Sequence, residues 1–290
     1  MDYALLALAA LMLAVDFAIN KLYQRKAGTG LLKGLKFNAL HGLCSTVVFL
    51  VATGFRIRFS LFSVLMASAF SLLVMTYNII GFRIMKNGSI AIYTLFLMTG
   101  GMLVPYVWGI AFLDEKILPL RIIGVVLIVC AVALSNLGAK KLSLWQILMC
   151  VAVFFINGST SVISKLHQIE TVLPTVDAMN FVVLTGMTRA VIAGVLYFAV
   201  RLRGEREDTV ARGGAGAWLL IVASAAVAGF SYFLQLLGAA NLPATVLYPI
   251  LTGGTMVLSA LAGVIFFKDK LTKSTLVALV LCLVGTLLFL

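Results

Sequence analysis

Asp16 is the first residue in this chain whose type and place could do chemistry. It stands inside an apolar run, five residues before Lys21, and so about 7–8 Å deeper along a helix axis. Asn20 follows one turn later on the same face. A carboxyl group there could exchange a proton or bind a cation. It could equally be a structural partner for an Arg or Lys, or an interfacial group reaching headgroup water. Arg189 lies as deep, with seven or more mostly apolar residues on either side. It could bind an anionic group such as a carboxylate, pair with Asp16, or send its head outward along its own stem. His41, one turn from Ser45, suits a proton relay or a hydrogen-bonded packing residue.

Further polar groups fall into patterns. Asn157, Ser161 and Ser164 follow i, i+4, i+7 and make one polar stripe, which suits a cavity wall or close helix packing. Two TGG triplets, Thr99–Gly101 and Thr252–Gly254, each lie near a proline, Pro105 and Pro249. Proline frees a carbonyl and kinks a helix, and freed backbone beside glycine can touch a ligand; the alternative is simple close packing. Tyr77, Tyr93, Tyr232, Tyr248 and Gln235 complete the large polar groups, as cavity wall or as interface anchors. Two His and ten acidic residues, most in loops, offer no metal-ligand cluster, and no GxSxG occurs, so an enzyme is not expected and no cofactor is implied.

What must position these groups is a membrane bundle. Of 290 residues, 62% are hydrophobic and 11% charged, with a mean hydropathy of +1.13, against about 25% charged in a soluble domain. Ten apolar segments of spanning length are expected at 3–23, 37–54, 60–80, 89–113, 117–137, 142–165, 178–200, 217–238, 242–266 and 271–290. An ionisable side chain at a helix centre costs about 2.5–3.5 kcal/mol, so Asp16 and Arg189 should face protein or a wet cavity. The net charge of +12 then belongs to loops on one bilayer face rather than to nucleic-acid binding. Cys44, Cys130, Cys150 and Cys282 all fall in apolar segments and read as small hydrophobes.

The segments repeat. DFAINKLYQRK at 16–26 returns as TSVISKLHQIE at 160–170, and FNALHGL at 37–43 as FVVLTGM at 181–187. The TGG triplets match next, and FLDEKI at 112–117 matches FFKDKL at 266–271. Four echoes in order divide the chain into two five-helix halves, 1–138 and 139–290. An odd number of spans turns the second half upside down, and inverted repeats with a site between the halves are common in secondary transporters. Loop charges test the alternation: five Lys or Arg fall on the N-terminal side and sixteen on the other. The basic side is expected in the cytoplasm and both termini outside.

With its short apolar–acidic–Lys elbows, FLDEKI and FFKDKL, the whole chain resembles the drug/metabolite transporter superfamily in its ten-helix EamA-type branch. The resemblance implies an all-α integral membrane protein of two inverted five-helix repeats in a cell membrane. It also implies export or exchange of a metabolite, amino acid or amphipathic drug by alternating access. The cavity is expected between helices 1, 3, 4, 6, 8 and 9, with 5 and 10 peripheral. Expected partners are a small-molecule solute, protons, the bilayer and a second copy of the chain. Two other readings keep the fold: a lipid or lipid-linked sugar translocator, and a non-transporting assembly partner without a central cavity. Thr160 stands where the repeat would put a second Asp16, so any ionic coupling is expected in the first half alone.

Overall fold

In hydrocarbon a backbone must satisfy its own hydrogen bonds, and every long apolar run here does so as a helix. A computed structural model describes residues 2–28, 30–87, 90–135, 143–203, 215–268 and 273–289. The first half gives α1 (Asp2–Ala27), α2 (Leu31–Ala52), α3 (Leu61–Asn87), α4 (Ile90–Phe112) and α5 (Pro119–Ser135). The second gives α6 (Leu144–Ile169), α7 (Ala178–Leu202), α8 (Ala215–Asn241), α9 (Ala244–Phe267) and α10 (Lys273–Leu287). The 138/139 boundary, most of the polar break at 201–216 and residues 269–271 of the second elbow lie outside the described residues.

Eight of these helices are long and apolar enough to cross a membrane, which makes this a multi-pass membrane protein. Within the described residues α5 and α10 run 17 and 15 residues, and each abuts a stretch that lies outside them. The outer faces are apolar, with Leu65, Val126, Val195 and Phe266 all exposed, as lipid-facing positions should be.

Helix pairs that surround the centre approach closely at glycine. A Cβ on Gly42 (α2) would stand 2.7 Å from the Gly186 carbonyl oxygen and the Ala190 nitrogen of α7. A Cβ on Gly100 (α4) would meet the Phe154 backbone of α6 at 2.2 Å. Side chains larger than hydrogen would push these pairs apart. α2 packs on α7, α4 on α9 and α5 on α10; α1 packs on α8 and α9, and α6 on α3 and α4. Most of this pattern maps onto itself when the helices of the first half are exchanged with those of the second.

Candidate functional site

A cavity of about 720 Å³ lies inside the bundle, bordered by α1–α4 and α6–α9. It extends from the α1–α2 connection, at Gly28, Gly30 and Lys33, to Ser164, Tyr232, Gln235 and Tyr248 near the opposite end. From the first half, Asp16, Asn20, Tyr77 and Tyr93 border it. The second half contributes Asn157, Ser161, Arg189 and Thr252 as well. Thr99 is the exception. Its hydroxyl donates to the Leu95 carbonyl of its own helix at 2.7 Å, and it does not border the cavity. The lining also extends the expected set of helices to α2 and α7. Asn38, His41 and Ser45 recur at i, i+3, i+7 and so present one polar face of α2. Short α5 and α10 stay outside it.

Asp16 is buried at 6% exposure, yet both carboxylate oxygens are held. Ser224 on α8 donates to Oδ1 at 2.6 Å, and Asn20 donates to Oδ2 at 2.9 Å. Arg189 donates through Nε and Nη2 to the Asn38 side-chain oxygen at 3.1 and 2.6 Å, and through Nη1 to His41 Nδ1 at 3.3 Å. A guanidinium has only donors, so Nδ1 of His41 must accept and its ring proton sits on Nε2. Asp16 and Ser224 thus join α1 to α8, and Arg189, Asn38 and His41 join α7 to α2. Asn38 and Ser224 carried no sequence signal: one sits beside a basic loop, the other in a run of small residues.

The proline effect is visible on α4. Pro105 cannot donate to Gly101, and Ser161 on α6 donates to that carbonyl instead, at 3.2 Å. Asn157 donates to the Leu97 carbonyl at 2.7 Å. Two members of the polar stripe thus join α6 to α4, while bordering the cavity with it. The third, Ser164, hydrogen-bonds Tyr232 at 2.9 Å. Of the triplets, Gly101 and Thr252 border the cavity, whereas Gly100 and Gly253 face Phe154 and Thr286 at packing contacts. Thr255 on α9 is 2% exposed, borders the cavity, and its hydroxyl has no partner among the described residues.

Beyond Ser164 and Tyr248 the bundle is shut. Lys165 is buried, its ammonium donating to the carbonyls of Ala239 and Leu242 at the C-terminal end of α8, at 2.6 and 2.7 Å. Glu115, in the first elbow, accepts from the backbone N–H of Ala244 and Thr245 at 2.7 and 2.8 Å. Each charge sits at the helix end whose dipole favours it. Tyr248 donates to the Ser161 carbonyl. His167 is stacked on Phe181, centroids 3.7 Å apart, and bonds Ser63 of α3 at 2.8 Å. Glu170, just past α6, accepts from the N–H groups of Val172 and Leu173, which hold its carboxyl below the usual carboxylate range.

The model of the EamA-like transporter family matches residues 144–290, just over half of the chain. The chain belongs to the EamA-like transporter family. In this EamA-family protein the matched half holds Arg189, Asn157, Tyr232 and Tyr248, while Asp16, Asn38 and His41 lie outside the match. A crystal structure of a protein superposes on the EamA-family chain with a TM-score of 0.76 at 17% identity, covering 99% of this chain and 95% of that one. At that identity the likeness speaks for the fold alone. No curated protein matches the chain. Among the described residues no group of three His, Cys, Asp or Glu could hold a metal ion.

Proposed function

We propose that this EamA-family protein is a secondary transporter that carries a small organic solute by alternating access, with a proton exchanged at Asp16. The observation that carries the reading is the 720 Å³ cavity, which reaches one end of the bundle and meets a packed layer at the other. Its wall holds a buried carboxylate and a guanidinium, groups that are costly at membrane depth without a use. The cavity also speaks against the assembly-partner reading, which called for a tightly packed centre.

The two halves, 1–138 and 139–290, act here as inverted repeats. The near-symmetric helix contacts and the four sequence echoes support this. The loop charges support a cytoplasmic basic side, with both termini outside. The cavity mouth at the α1–α2 connection then faces the cytoplasm.

Purified protein in liposomes, given a pH gradient and a panel of neutral, anionic, cationic and zwitterionic solutes, tests the proposal. Gradient-driven movement of at least one solute is expected, and Asp16→Asn should abolish the dependence on the gradient. Coupled transport that survives Asp16→Asn would remove the role given to that residue. A reporter fused to the C-terminus tests sidedness, and cytoplasmic activity there would reverse the orientation.

A further inference from the structure

Arg189 sits about halfway along α7; among the described residues its hydrogen-bond partners are neutral, and the Asp16 carboxylate lies within electrostatic reach without bonding to it. Asn38 offers an amide oxygen. His41, accepting through Nδ1, is the neutral imidazole. Neither Asp16 oxygen is given to the guanidinium; Ser224 and Asn20 hold them. A purely structural arginine at this depth would be expected to take a carboxylate, since its charge is costly to leave without a counter-ion. Here Asp16 offsets the charge only from a distance, and the negative ends of two dipoles hold the guanidinium in place.

The donor count sharpens the point. A guanidinium carries five N–H groups. Three are spent on Asn38 and His41, and two have no hydrogen-bond partner among the described residues, on a side chain that borders the cavity. The free part of the fork has the geometry that receives a planar, two-oxygen anion. Tyr77 lies within electrostatic reach of the same guanidinium, and Tyr93 borders the cavity close by, so the anion would sit beside aromatic surface.

We propose that the solute docks on Arg189 through a carboxylate, and that Asn38 and His41 are positioning residues that present the guanidinium to it. This rests on the transport reading above and names the class of solute for that site.

Three probes on one skeleton separate the outcomes: 3-phenylpropionate, its amide, and 3-phenylpropylamine, each tested for thermal stabilisation of the purified full-length protein and for movement in liposomes. The carboxylate alone is expected to raise the unfolding midpoint and to be carried. Arg189→Lys, which keeps the charge and loses the fork, should weaken its binding about tenfold or more. Asn38→Ala should raise KM for phenylpropionate with little change in kcat. Asn38→Asp is the decisive variant, because it sets a carboxylate against the guanidinium from within. It should abolish phenylpropionate binding while the unfolding midpoint holds or rises. Undiminished phenylpropionate binding by Asn38→Asp, or preference for the amide or amine, overturns the solute class and leaves transport standing. Binding of none of the three probes overturns it too, and the transport reading falls with it only if the broader solute panel is also not carried.

Discussion

α1 and α6 end in nearly the same six residues, INKLYQ and ISKLHQ, yet the two ends are held differently. At the end of α6, Lys165 is buried on the carbonyls of Ala239 and Leu242, and Ser164 reaches Tyr232. At the end of α1, Lys21 is half-buried with its ammonium 4.2 Å over the Phe267 ring, and Tyr23 and Gln24 border the cavity. The helix contacts tell the same story. α6 packs on α8, and among the described residues no packing of similar extent joins α1 to α3. Equivalent sequences thus build a closed junction at one end and a cavity wall at the other. The difference lies in how the helices stand, and a transporter that alternates would exchange the two arrangements.

The junction at Lys165 should break first and most. Lys165→Met leaves two buried carbonyls without that donor, at about 1–3 kcal/mol each. The expected results are a clear fall in the unfolding midpoint and faster labelling of a cysteine placed at Ser164, with an impermeant reagent added on the side of the 170–177 loop. Unchanged labelling would mean that Lys165 does not hold that end shut. Glu115→Gln should do less. It removes the charge facing the N-terminus of α9, worth about 0.5–2 kcal/mol, and urea or thermal denaturation should register it. Lys21→Met should do less than Lys165→Met by the same measurement; the ring contact it loses at the open end is worth about 0.5–1 kcal/mol. A Lys21→Met effect as large as that of Lys165→Met would erase the distinction between the two ends.

Much of this architecture was legible because hydrophobic length is a robust signal. The ten segments became ten helices, and most boundaries moved by only a few residues. The largest shifts were at the end of α3, expected at 80 and reaching Asn87, and at the start of α2, expected from 37 and starting at Leu31. A helix does not stop where lysine begins; Lys36 is exposed on a turn through which the backbone continues its ladder. The site was legible where polar residues stood alone in apolar runs, as Asp16 and Arg189 do. It was hidden where partners looked ordinary, as Asn38 and Ser224 did. Thr99 misled in the other direction, because a threonine in a helix can satisfy its hydroxyl on the preceding turn and face no ligand at all.

Gly42 and Gly186 occupy matching places in the two halves and meet each other, backbone against backbone, where α2 crosses α7. Nothing can be squeezed out of such a contact, and neither helix can slide far without driving a side chain into the other's backbone. In the transport reading proposed above, the crossing would act as a fulcrum. Movement of one half against the other would become rotation about that point, small at the centre and growing toward both faces of the membrane. A slight tilt there would spread the helices at one face as it drew them together at the other.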